Sequence, residues 1–320
     1  MSFSIQDIRE ALDRIAPYII ETPLLRMQNL DRFLGCQVYV KLENLQNTVG
    51  AFKLRGALNR ILSCPAETLK KGVVAVSSGN HGKAVAYVAK MLGIPATIVI
   101  PDTAAKVKIE AIQQLGADVV LTTVTERFRE GERIAKEKAV PLIHPYNDYA
   151  VMAGQGTAGL EIMEQQPDLD AVVVPMSGAG LIGGVSEAIK SIAPQVKVWG
   201  AEPAVLPKFT ESRKAGESVD VGASPTIADA LVSSKMGDLC FPVANRNVDM
   251  AADVDEAYIL KGMKLLLMEG KLLAEPSSCI GMGGMLQGLY PVKPDMKVCF
   301  LISGGSVGFS QLEKLKDVTY

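Results

Sequence analysis

Between residues 72 and 145, short β-branched runs alternate with helical stretches, and this alternation constrains the fold more than any other feature of the chain. GVVAVS (72–77) leads into the helical pattern NHGKAVAYVAKML (80–92), and ATIVI (96–100) into a helix through AKVKIEAIQQL (105–115). ADVVLT (117–122) then leads into a charged helix around 126–139 and the short strand PLIH. Strands joined by helices predict a parallel sheet, because parallel neighbours need a crossover and a helix supplies it.

A second series begins at AVVVPM (171–176), turns through SGAG and enters a helix near 182–192. The strand VKVWGAE (196–202), a helix from Asp255 to about Gly270 and the strand KVCFLI (297–302) with its turn SGG complete it. Residues 203–235, punctuated by Pro203, Pro207, Gly216, Gly222 and Pro225, read as mostly irregular. The first segment carries helices around 5–16 and 54–63. The expected fold is α/β: two open parallel-sheet domains with helices on both faces. The smaller, 72–146, is set between 1–71 and 147–320 of the larger.

Composition narrows the function classes. With 48% hydrophobic residues among 320, the chain can bury one large or two smaller cores. Lysine and arginine total 33 against 35 acidic residues, a balance that argues against a nucleic-acid partner or a polybasic membrane surface. MSFSIQDIRE is no signal peptide, and charge or glycine breaks every apolar run short of a membrane span. Cys36, Cys64, Cys240, Cys279 and Cys299 are scattered without a CxxC pair, which argues against structural zinc and a disulfide framework. A cytoplasmic location is the expectation.

Three glycine turns, SSGNHG (77–82), SGAG (177–180) and SGGSVG (303–308), follow predicted strands. Ligands of open α/β sheets gather at that edge, where helix N-termini offer free N–H groups. These turns could cradle a phosphate and an anionic substrate group, or simply make tight βα connections. A dinucleotide site is disfavoured: GVVAVSSGNHG offers only Gly79 and Gly82, with no acidic residue at the expected distance. In TVGAFKLRGA (48–57), Phe52 and Leu54 flank Lys53 and place it near a core, which is unusual for lysine.

TVGAFKLRGALN, SSGNHGKAVAYVAKMLGIPATIVIP, SGAGLIGG, AEP, AEPSS and the closing SGG follow one another along nearly the whole chain. In this order they resemble the pyridoxal-phosphate enzymes of the serine/threonine dehydratase and serine racemase family, of fold type II. The resemblance implies that Lys53, beside Phe52, forms the Schiff base with the cofactor and later acts as base at the substrate Cα. It implies that Asn80 bonds the cofactor's ring hydroxyl oxygen, and that the loop Ser77, Ser78, Gly79, Asn80, His81 grips the substrate carboxylate. Ser177, Gly178, Ala179 and Gly180 match the phosphate cradle, with Ser177 and Ala179 replacing two family glycines. Glu275 matches a glutamate lining the cofactor cavity, and Ser303 the residue facing the pyridine nitrogen. A neutral hydroxyl there does not hold that nitrogen protonated, which favours prompt expulsion of a β-hydroxyl. Ser78 matches the serine that, in racemases, exchanges a proton on the face opposite the lysine. Arg55 is expected to brace the helix start, and His81 and His144 to be structural.

The chain also departs from the family. Its motif reads TVGAFK rather than TGSFK, so Val49 is extra and Ala51 replaces a serine. Metal-stimulated relatives bind a divalent ion through the glutamate of AEP and an aspartate six residues on. Here Glu202 is followed at that spacing by Lys208, and no metal is expected. The short tail after SGG points to a single-module catabolic enzyme without a regulatory domain. The expected activity is conversion of L-threonine or L-serine to a 2-oxo acid and ammonia. Serine racemisation, dehydration of 3-hydroxyaspartate or a related amino acid, and a catalytically silent binding role are the alternatives. Arg129 is the candidate for reading a second carboxylate. The expected partners are an amino-acid substrate and, from the resemblance, a second copy in a homodimer.

Overall fold

The computed structural model describes residues 3–320, which form two sheets. The larger contains β1 (Leu24–Arg26), β2 (Gln37–Leu42), β7 (Ala171–Pro175), β8 (Lys197–Pro203), β9 (Met250–Val254) and β10 (Lys297–Ile302), in the order β1-β2-β10-β7-β8-β9. The smaller contains β3 (Val73–Val76), β4 (Ala96–Pro101), β5 (Asp118–Thr122) and β6 (Leu142–Ile143), in the order β5-β4-β3-β6. All neighbours are parallel except β1 and β2, which run antiparallel. That exception departs from the all-parallel expectation, and its cause is the short link from β1 to β2, which cannot make a crossover.

Helices cover both faces of each sheet. One face of the large sheet packs against Ile5–Ile15, Tyr149–Gln165, Gly180–Ile192 and Cys240–Asn247 through a core that includes Ile8, Met152, Ile162, Ile182 and Val185. The other packs against Glu256–Met268 and Pro276–Leu286 through Ile259, Met263, Leu266 and Ile280. β7 and β10 lie mid-sheet and are buried along almost their whole length, as unbroken apolar runs require. The helix Lys53–Leu62 joins the small sheet's core through Leu54, Leu58 and Ile61, beside Val85 and Ile98. A helix, Lys208–Ala215, occupies part of the stretch that reads as irregular; Gly216 ends it at φ 78°. No helix among the described residues is long and apolar enough to cross a membrane.

This topology positions the site. β2, β10 and β7 are neighbours, so the loops leaving their carboxyl ends, 43–52, 303–308 and 176–179, emerge side by side. The turn after β3 reaches the same place from the smaller sheet.

Candidate active site

Lys53 opens its helix at the end of a loop tied to the β10 turn. Phe52 N–H donates to Ser303 O (3.0 Å), Gly305 N–H to Gly50 O (2.9 Å), and Ala51 bridges Gly304. Val49, the extra residue, is fully buried, and Lys83 Nζ donates to its carbonyl (3.3 Å). The inserted residue therefore packs into the core instead of looping into solvent. Lys53 Nζ donates to Pro145 O at 2.6 Å and lies 5.1 Å from the centre of the Phe52 ring. Burial, opposed by the nearby Cys240 and Glu275, brings its pKa down to about 8.

Arg55 explains how the lysine is held. Its guanidinium is wholly buried, with Nε and Nη2 donating to Glu43 (2.7 and 2.8 Å) and Nη1 and Nη2 to Glu161 (2.6 and 2.7 Å). Lys41 Nζ completes the cluster on Glu161 at 2.5 Å, and Thr22 Oγ1 donates to Glu43 at 2.6 Å. The sequence foresaw a brace, but the two carboxylates come from a 3₁₀ turn and a distant helix and were not legible in it.

The β3 turn is shaped by contacts that exclude side chains. A Cβ on Gly82 would lie 2.1 Å from Ser77 O, so glycine is required there. Ser77 Oγ accepts from Gly79 N–H at 3.1 Å, which folds the loop back before the helix Asn80–Leu92. Ser78 is half-buried and its hydroxyl has no hydrogen-bond partner among the described residues. The imidazole of His81 is turned inward with Nε2 on Ile143 O at 2.8 Å, and burial and the Lys53 charge push its pKa down to about 3. His144 accepts through Nδ1 from Tyr146 N–H and Asn147 N–H (3.2 and 2.8 Å), with its pKa pushed down to about 4 by the same causes. Their surroundings hold both rings neutral at pH 7.

Asn80 meets a partner the sequence did not reveal. Its Nδ2 donates to both oxygens of Glu275 (3.0 Å each), while Ser306 Oγ donates to its Oδ1 (2.6 Å) and Ser306 N–H to Glu275 (3.1 Å). Glu275 stands immediately before the helix Pro276–Leu286, and burial raises its pKa to about 7. Ser303 Oγ lies 2.9 Å from Ser278 Oγ, which itself bonds both the carbonyl (2.8 Å) and the N–H (2.7 Å) of Gly304. The end of β10 thus presents a pair of neutral hydroxyls.

The β7 turn leads into the thirteen-residue helix Gly180–Ile192, with Ala179 at φ 69°. A Cβ on Gly178 would lie 2.4 Å from the Tyr146 ring, and one on Gly180 2.9 Å from both Tyr146 Cβ and Gln155 Oε1. Ser177 Oγ accepts from Ser233 N–H at 3.3 Å, and Tyr146 Oη lies 3.1 Å from Ser233 Oγ. The turn is a backbone cradle at a helix start, a geometry suited to an anion.

Two further sites bear on the sequence reading. Lys208 and Glu202 are both fully buried, 3.8 Å apart. Phe209 N–H and Thr210 N–H donate to Glu202 (2.9–3.1 Å), and Lys208 Nζ donates to Leu206 O (3.0 Å). Desolvation opposes both charges, taking Glu202 up to about 7 and Lys208 down to about 8, which leaves the lysine mostly protonated at pH 7 beside the carboxylate. Arg129 projects into solvent, paired with Glu126, and is no part of the site. The sequence reading overlooked Arg127, whose guanidinium has no carboxylate partner among the described residues. It lies 5.2 Å from the Phe128 ring centre, Phe128 stacks on His144 (5.8 Å), and His144 meets Tyr146 edge-on (4.7 Å).

Pyridoxal phosphate needs an unprotonated amine for its aldehyde, N–H donors for its phosphate and uncharged polar groups around its ring. Lys53, the glycine cradle, Asn80 and the two hydroxyls fit those needs. Buried Gln155, beside the cradle, has both ends of its amide unpartnered among the described residues. The comparisons agree with this chemistry. A model of the pyridoxal-phosphate dependent enzymes matches residues 15–304. An L-threonine ammonia-lyase of Thermotoga maritima is 40% identical over 98% of this chain and 78% of its own. An L-threo-3-hydroxyaspartate ammonia-lyase of Saccharomyces cerevisiae is 37% identical over 97% of this chain and 95% of its own. The solved structure of maize serine racemase superposes with a TM-score of 0.93 at 38% identity, covering 98% of this chain and 97% of that one. The chain therefore belongs to the pyridoxal-phosphate dependent enzyme family and has its fold.

Proposed function

We propose that this enzyme eliminates water from L-threonine and L-serine, yielding a 2-oxo acid and ammonia. The observation that carries this reading is Lys53: an amine with its pKa near 8, clamped against a turn whose polar groups are neutral hydroxyls. Bound pyridoxal phosphate supplies an aldehyde for amines and a ring that withdraws electrons from Cα. In this proposal the N–H groups of the 177–180 turn would hold its phosphate, and Asn80, Glu275 and Ser303 would supply the polar groups around its ring. The loop Ser77–His81, carried by the 72–146 part, binds the substrate carboxylate through N–H groups and hydroxyls. Lys53, whose amine is free when the substrate amine occupies the aldehyde, would take the Cα proton. Ser303 and Ser278 offer no anion that would keep the ring nitrogen protonated, which would favour loss of the β-hydroxyl, and Lys53, carrying the proton taken from Cα, would return it to the leaving oxygen so that it departs as water. The resulting enamine hydrolyses in solvent to the 2-oxo acid and ammonia.

The test is to incubate the holoenzyme with L-threonine or L-serine and assay 2-oxo acid, ammonia and D-serine. Equal amounts of 2-oxo acid and ammonia, exceeding any D-serine, support the reading. D-serine as the main product would replace it with a racemase, for which the unpartnered hydroxyl of Ser78 is the available second base. Arg127 favours one other reading, L-threo-3-hydroxyaspartate as substrate, because a half-buried guanidinium without a carboxylate suits a second substrate carboxylate. A kcat/KM for that compound well above the value for threonine, collapsing in Arg127→Met, would establish it.

A further inference from the structure

Gln155 lies within the helix Tyr149–Gln165, has no solvent exposure, and neither Oε1 nor Nε2 has a hydrogen-bond partner among the described residues. A buried amide left without partners destabilises a fold, and a leucine or methionine would fill the same space without that penalty. Its surroundings fix where the amide points. Gln155 Cγ would lie 3.1 Å from a Cβ on Gly56, in the Lys53 helix, and Oε1 2.9 Å from a Cβ on Gly180. The side chain thus runs from the lysine's helix to the first residue of Gly180–Ile192 and ends at the glycine cradle.

We propose that Gln155 is a phosphate-binding residue: a half-turn of its amide, which no hydrogen bond opposes, exchanges Oε1 for Nε2 at the cradle, and Nε2–H then donates to the cofactor phosphate at the 177–180 turn, alongside the backbone N–H groups. A helix start attracts an anion through N–H donors that all lie on one side. An amide entering from a neighbouring helix adds a donor from a second direction without adding charge. The same bond couples the Lys53 helix to the phosphate, because Gln155 packs against Gly56. The inference rests on the assignment of the phosphate to that turn.

Gln155→Met keeps the volume and removes the amide. Apoprotein, wild type and variant, is titrated with pyridoxal phosphate and with pyridoxal, which lacks the phosphate. The expected result is a roughly ten- to hundredfold weaker Kd for pyridoxal phosphate, as for one lost hydrogen bond to a charged group, with pyridoxal binding unchanged. The variant apoprotein is expected to melt at or above the wild-type temperature, because the unpartnered amide is gone. Equal weakening for both ligands, or no weakening for pyridoxal phosphate, would overturn the proposal. A second measurement needs no variant: amide NMR spectra of wild-type apoprotein titrated with inorganic phosphate. Shifts of Gly178, Ala179 and Gly180 together with the Gln155 side-chain NH₂ are expected. Shifts of the backbone groups alone would sink the role of Gln155 and leave the turn assignment standing. No shift at the turn would sink both.

Discussion

Burial makes Lys53 available as a free amine at neutral pH. With its pKa at about 8, against 10.5 for an ordinary lysine, it carries roughly 300-fold more unprotonated amine at pH 7. The rate at which apoprotein captures pyridoxal phosphate should therefore rise with pH, reach half its plateau near pH 8 and level off roughly one pH unit higher, measured by stopped-flow absorbance; a rate still climbing at pH 10 would contradict the assignment. Glu275 makes a second prediction. Its pKa is raised from 4.5 to about 7 by burial, so its contribution to apoprotein stability is fully present below pH 4.5. That contribution, of order 3 kcal/mol, is lost as pH rises through 7. Urea midpoints across pH 4.5–8 should show this decline in wild type, and it should flatten in Glu275→Gln. Lys53 was legible through its place in AFKLRG, and its apolar neighbours Phe52 and Leu54 put it near a core. Glu275 as the partner of Asn80 was not, since 195 positions separate the two.

The elements around the site are fixed by contacts of very different legibility. Strands such as Lys297–Ile302 and helices such as Asn80–Leu92 fall where the apolar periodicity places them, because local pattern and burial agree. The helix Lys208–Ala215 was hidden by the prolines before it, although Pro207 stands just ahead of the first turn, where proline is tolerated. The cluster Lys41–Glu161–Arg55–Glu43 shows no pattern at all in sequence, yet it fixes the Lys53 helix. Removing Arg55 would leave two carboxylates buried with one cation. Arg55→Met should lower unfolding free energy by about 3–5 kcal/mol and weaken cofactor capture, as read by urea denaturation and absorbance titration. Stability within 1 kcal/mol of wild type, as for a typical surface ion pair, would show that the brace is not needed.

Across the whole molecule, the site exists only because two sheets deliver their strand ends to one place. The alternation of strands and helices announced those sheets, whereas their meeting through Asn80, Glu275 and Ser306 depends on tertiary packing. The Glu202–Lys208 pair lies away from that meeting point, at the end of β8, and supplies its own cation. Chelator should therefore leave activity and melting temperature unchanged. Lys208→Met should cost about 3–5 kcal/mol by stranding a buried carboxylate, and Glu202→Gln in the same chain should recover part of it in urea denaturation. Loss of activity on chelation, restored by magnesium or calcium, would reject the built-in cation.

Whether Lys53 is the amine that carries the cofactor can be read directly from the protein. The holoenzyme is reduced with borohydride, digested, and its peptides sequenced by mass spectrometry. The phosphopyridoxyl group is expected on Lys53 and on no other lysine. A label on Lys83 or Lys208, or a reduced enzyme with no labelled peptide, would contradict it.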